Sequence, residues 1–103
     1  MSRPMRIRAT ESGGIVDVRV LMAHVMETGL RRGPGGAAIA AHYITDVTAR
    51  VGDRVVMTAQ WSPAVSTDPF LHFRVRGARK GEQVSITWRD NRGESRTDQV
   101  AVT

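Results

Sequence analysis

Period-two alternation of apolar and polar residues recurs along this chain in short segments. Val16, Val18, Val20 and Met22 alternate with Asp17, Arg19 and Leu21; Val55, Met57, Ala59 and Trp61 alternate with Val56, Thr58 and Gln60. Leu71, Phe73 and Val75 alternate with His72, Arg74 and Arg76, and Val84, Ile86 and Trp88 with Ser85, Thr87 and Arg89. Alternation of this kind sends one set of side chains to a buried face and the other to water, the signature of strands in an antiparallel sheet. Turn signals separate the runs: Gly13-Gly14, Gly52-Asp53, Gly77 to Gly81, and Asn91-Arg92-Gly93, which with Asp90 reads as a hairpin into a final strand. Strands are expected near 5–10, 15–22, 42–50, 54–61, 70–76, 83–89 and 95–102. About seven short antiparallel strands without helical periodicity predict an all-β, immunoglobulin-like β-sandwich, with a small open barrel as the competing architecture.

Two stretches break the alternation. Ala23 to Ala41 is long for a hairpin loop and contains Arg31-Arg32-Gly33-Pro34-Gly35-Gly36; Ser62 to Pro69 carries two prolines that interrupt any ladder. Long ordered loops on a rigid scaffold are where function concentrates. Trp88 is expected in the core, Trp61 at its edge beside the Pro-rich loop, Met22 inside, and Met26 exposed at an interface.

With 103 residues, the chain is expected to form a single domain, 1–103, able to bury a core without staples. There is no cysteine, which excludes disulfides, thiolate metal sites and a cysteine nucleophile. Neither a signal-peptide h-region nor a membrane-length apolar run is present. The net charge of +5 raises nucleic-acid binding as a question. Fourteen of the fifteen basic residues are Arg, with Lys80 the only lysine, and acidic residues are interspersed from Glu11 to Asp98. That interspersion is expected to break up any single-sign face, so no nucleic-acid partner is assigned.

No catalytic, cofactor or metal site emerges. His24, His42 and His72 lie on three separate segments without the close spacing usual for a metal pair, and structural or surface roles are expected of them. Ser62 and Ser66 lack a nucleophile elbow or a paired base, and Gly33-Pro34-Gly35-Gly36 lacks the Lys-Ser/Thr ending of a phosphate loop.

Two segments are nevertheless distinctive. His24-Val25-Met26-Glu27-Thr28-Gly29-Leu30 resembles an H-P-M-E-T-G-x motif. Ala59-Gln60-Trp61-Ser62-Pro63-Ala64-Val65-Ser66, followed by Asp68-Pro69-Phe70-Leu71 and Gly77-Ala78, resembles an A-x-W-G/S-P-A-V-S-x-N/D-P-F-L…G-A pattern. With Val20-Leu21-Met22 and Trp88 to Gly93, they resemble the SoxZ family over nearly the whole chain, from about Met5 to Val102. The resemblance implies a non-catalytic, immunoglobulin-like subunit of the SoxYZ heterodimer. In that complex SoxY holds sulfur intermediates on a cysteine, and the carrier visits the other Sox enzymes during thiosulfate oxidation. It further implies a periplasmic protein without its own signal peptide, exported together with SoxY. Val25 stands where the family usually has proline, which removes a fixed φ.

Within that resemblance, the partner-binding residues are expected to be His24, Met26, Glu27 and Leu30 in the first loop. Trp61, Pro63, Val65, Ser66, Pro69 and Phe70 are expected to serve in and around the second. An isolated subunit exposing such a surface is open to pairing as a homodimer. The alternative is a stand-alone protein- or carbohydrate-binding module on the same fold.

Overall fold

A computed structural model describes residues 2–103; Met1, the first residue of the expected domain, lies outside them. The strands are β1 (Arg6–Ser12), β2 (Ile15–Leu21), β3 (Ile44–Val51), β4 (Arg54–Gln60), β5 (Phe70–Arg76), β6 (Gln83–Asp90) and β7 (Ser95–Ala101). They form a three-stranded sheet, β1-β2-β5, facing a four-stranded sheet, β4-β3-β6-β7, with every pairing antiparallel. The connections β2→β3, β4→β5 and β5→β6 cross between sheets, as in immunoglobulin-like sandwiches. Apart from one 3₁₀ turn at Pro34–Gly36, the described residues hold no helix.

Alternation sets the core. Val16, Val18 and Val20 from β2 face Ile44, Val47 and Ala49 from β3 and Val84, Ile86 and Trp88 from β6, all at most 1% exposed. Burying side chains of this size contributes roughly 1.5–3 kcal/mol each. The β1–β2 hairpin pairs Ser12 with Ile15 across Gly13-Gly14, both at positive φ (61° and 83°). This is the primed turn whose twist matches the strands it joins. Expectation and structure part at Val55, which the alternation sends inward. A register shift in the β3–β4 ladder leaves Val55 opposite Arg50 and half exposed, while Met57 and Ala59 keep the inward phase.

The two long sides of the sandwich differ. At the β1/β7 side the sheets are stitched together: Glu11 N–H donates to Thr103 O (2.9 Å), Thr103 N–H to Ala9 O (3.0 Å), and Met5 N–H to Asp98 Oδ2 (2.9 Å). At the opposite side β4 and β5 do not pack on each other to a comparable degree. There the inward residues Met57, Ala59, Leu71 and Phe73, with Trp61 and Val65, are only half-buried against the core. An apolar seam is left along that edge.

Candidate functional site

The two loops singled out in the sequence meet at one end of the sandwich. Asp68, at a positive φ of 51°, donates its N–H to His24 O (2.9 Å) and accepts His24 N–H on Oδ1 (3.0 Å). Thr67 Oγ1 donates to Val25 O (2.9 Å), and Met22 N–H to Pro69 O (2.9 Å). The β6–β7 hairpin joins them. Asn91 accepts Tyr43 N–H on Oδ1 (2.8 Å) and donates from Nδ2 to Ala41 O (2.9 Å). Beyond that anchorage the first loop is an irregular ribbon, closed by bridges Glu27↔His42 and Arg32↔Ala38, with Arg31 paired to Glu27. The Arg31 guanidinium holds the Glu27 carboxyl below its ordinary value. Leu30, on the ribbon, is 87% exposed.

At the centre lies Asp90. Its Oδ2 accepts from His24 Nε2 (3.1 Å) and His42 Nε2 (2.8 Å); its Oδ1 accepts the N–H groups of Arg92 (3.0 Å) and Glu94 (2.9 Å). Four donors fill a carboxylate that has no side-chain exposure. Burial on its own pushes the Asp90 carboxyl up. The imidazole and backbone N–H bonds outweigh it, and the group sits below the usual carboxylate range. His24 stands edge-on to both His42 (4.6 Å between ring centres) and Trp88 (5.2 Å). A cleft of about 210 Å³ adjoins them, lined among others by Thr67, Asp68 and Glu94. The buried Trp88 indole N–H meets no acceptor among the described residues.

His24, His42 and Asp90 bring ligand-type atoms within 4.8 Å of one another, so a metal has to be considered. The proton inventory opposes it. His24 Nδ1 accepts Met26 N–H (3.1 Å), so the ring proton lies on Nε2, the atom that would have to bind the ion. A metal-bound imidazole instead carries its proton on the far nitrogen and donates it to an acceptor. The cluster fits a hydrogen-bonded keystone, with Asp90 as the acceptor on which three chain segments converge.

Several expected partner-binding residues change status. Met26 is 5% exposed, not an exposed anchor: its thioether accepts Ile44 N–H (3.3 Å), and its backbone turns at φ 49°. His24 and Pro69 are likewise buried. Although they come from separate segments, His24 and His42 meet at Asp90 in the structural role expected of them, and His72 takes the surface role, exposed on β5 and bonded to Asp17 (2.7 Å). Leu30, Ser66 and Phe70 are exposed; Glu27, Trp61, Pro63 and Val65 are half-buried. Val25 is half exposed, and its N–H forms no hydrogen bond among the described residues. Asp90 itself was missed, although it continues the inward parity of Val84, Ile86 and Trp88 by one step.

The expectation that interspersed acids break up any single-sign face is also corrected. Cross-strand register puts Arg8, Arg19 and His72 in one row of the outer face of β1-β2-β5, and Thr10, Asp17 and Arg74 in the next. Arg6, Leu21 and Phe70 form the row at one end, and Ser12, Ile15 and Arg76 the row at the other. Asp17 is the only carboxylate in these rows. Its bonds to His72, Arg19 and Arg74 draw its pKa down to about 2, against a smaller opposing effect of desolvation. The outer face of the other sheet is unlike it: Thr58, Thr48, Thr87 and Thr97 align across all four strands, with Thr87 and Thr97 hydroxyls 2.8 Å apart.

Fold and site together define a small immunoglobulin-like sandwich whose loops are pinned at one end by a buried carboxylate. Solved structures share that fold at low identity. A hypothetical protein, PH1083, from Pyrococcus horikoshii OT3 is 15% identical with a TM-score of 0.70, covering 99% of this chain and 89% of its own. An oxidised superoxide reductase is 14% identical at 0.67, covering 99% and 89%. A superoxide reductase (neelaredoxin) from Archaeoglobus fulgidus is 18% identical at 0.61, covering 97% and 86%. No curated protein matches in sequence. The chain belongs to the SoxZ family: the family model described as sulphur oxidation protein SoxZ matches residues 5–101. Membership makes it a sulfur-oxidation protein and a component of a Sox complex.

Proposed function

We propose that this chain is the non-catalytic half of a SoxYZ sulfur carrier. It pairs with SoxY, which bears the sulfur-binding cysteine, and presents the heterodimer to the enzymes of thiosulfate oxidation in the periplasm. The observation that carries the reading is the family match across residues 5–101. Chemistry supports it: a chain with no cysteine has no thiol to carry sulfur, so the cargo must sit on a partner. The half-buried seam at β4 and β5 supports it as well. A permanent interface is apolar at its centre and takes on the order of 1,000 Å² from each partner. That is roughly 15% of the 6509 Å² this chain exposes. Export with SoxY is part of the same reading.

Co-expression with the SoxY encoded beside it, followed by size-exclusion chromatography and native mass spectrometry, tests the pairing. A stable one-to-one heterodimer is expected. Two separate peaks at micromolar concentration would overturn it.

A further inference from the structure

We propose that the outer face of β1-β2-β5 is a docking surface for a carboxylate-rich protein, an enzyme that visits the carrier; the inference rests on the carrier reading above. Arg6, Arg8, Arg19, Arg74 and Arg76 all project from this one sheet face, and Asp17 is its only carboxylate. The local excess of four positive charges accounts for most of the +5 of the whole chain. Neighbouring strands lie about 4.8 Å apart and like-facing residues along a strand about 7 Å apart. The guanidinium groups thus form a lattice with the pitch at which carboxylates on an opposing strand or helix recur.

Asp17 organises this lattice and does not cancel it. Its Oδ2 accepts from Arg19 (3.0 Å), and its Oδ1 from Arg74 (3.3 Å) and His72 (2.7 Å). The Arg19 and Arg74 side chains stay more than half exposed (56% and 70%), so each keeps donors free for a second carboxylate. Shallow hollows on the face run between Arg8, Arg19 and Arg74 and onward to Leu21 and Phe70.

The composition of the face favours an acidic protein over nucleic acid. The end row offers Phe70 (62% exposed) and Leu21 (42%), apolar area suited to a protein interface core. Charge complementarity of this kind sets the on-rate and partner choice of short-lived encounters, which suits a carrier that must leave each enzyme it visits.

The test uses the heterodimer with SoxY and, one at a time, the purified sulfur-oxidation enzymes encoded alongside, with binding read by surface plasmon resonance. For at least one enzyme, raising NaCl from about 50 to about 500 mM should weaken association roughly tenfold, chiefly through the on-rate. At low salt, R8E/R19E in a heterodimer of unchanged circular dichroism should weaken it by roughly a hundredfold. R50E/R89E makes the same change of net charge on the other sheet and should leave affinity within about twofold. Should the reversal variant fail to fold, R8Q/R19Q removes the same two charges without placing carboxylates on the sheet and should weaken association roughly tenfold at low salt. Association indifferent to both salt and R8E/R19E overturns the docking surface while leaving the carrier reading intact. Equal loss in R50E/R89E also overturns it, by showing that net charge and not this face is read. A duplex DNA of about 20 base pairs that binds as tightly and loses binding with R8E/R19E would make the face a nucleic-acid surface instead. Absence of any heterodimer removes the carrier reading and this inference with it.

Discussion

At the scale of single residues, Asp90 ties this fold's loops together. A buried carboxylate with four donors is stable only while all four are present, because each unsatisfied group in the interior costs about 1–3 kcal/mol. Asp90→Asn keeps the shape but turns an NH₂ group toward two imidazole N–H donors, so unfolding in urea should show a loss of about 2–3 kcal/mol at neutral pH. The pH dependence follows from the direction of its shift. A carboxyl held below its unfolded value contributes stability that is complete above the unfolded pKa, about 4. That stability is lost as pH falls through the folded pKa. The gap between wild type and Asp90→Asn should therefore be widest above about pH 5 and narrow below about pH 4. A constant gap down to pH 2 would mean the carboxylate charge contributes nothing. Asp90 was half legible in the sequence: the parity of β6 points it inward, but its partners His24 and His42 come from distant segments that only the tertiary fold brings together. Likewise Val16, Val18, Val20, Met22, His24 and Met26 are all buried at every second position, so the alternation of β2 outlasts its ladder and already pointed inward for His24 and Met26.

At the scale of elements, strand positions were legible because period two and glycine turns are local signals, and the observed bounds lie within about two residues of those expected. Strand pairing is not local. Nothing in the spacing of Arg8, Arg19 and His72 along the chain says that they share a row, and the interspersed acids hid the fact. Those acids are drawn elsewhere: Asp90 and Asp98 take inward positions on β6 and β7, Glu11 binds Gly14 N–H, and Asp68 closes the loop junction. The result is a like-charge pair, Arg8 directly opposite Arg19, which destabilises a sheet by roughly 0.2–1 kcal/mol. Replacing Arg8 with Thr, a good strand former, should raise the stability of the domain by a few tenths of a kcal/mol, read as a higher midpoint in urea. The same variant should bind the visiting enzyme less well, as expected where a locally unfavourable arrangement is kept for function. A drop in stability would show that Arg8 is held by packing along its stem and not opposed by Arg19.

At the scale of the whole molecule, the two edges of the sandwich are finished differently. A radius of gyration of 15.4 Å exceeds the roughly 13 Å of a compact domain of this length, and the molecule measures 54 × 20 × 20 Å. An eight-residue strand spans only about 27 Å, so the ribbon at the pinned end supplies much of the extra length. Along the long sides, the β1/β7 edge is closed by the C-terminal residue and the segment before β1, while β4 and β5 leave Met57, Leu71, Phe73 and Trp61 half covered. Sequence parity identified these as inward residues but could not say that the sheets fail to close over them, since closure depends on which strands end up at the edges. An edge strand beside a half-covered core opens at lower free energy than a central one. Amide hydrogen exchange of the isolated chain should therefore be faster in β4 and β5 than in β2, β3 and β6. If SoxY covers the seam, forming the heterodimer should slow exchange in β4, β5 and the segment 61–69, because opening then requires dissociation as well. The already stitched β1/β7 edge should change little. Protection appearing at β1 and β7 instead would place the partner on the closed edge, and the seam would then be free to pair two copies of the isolated chain.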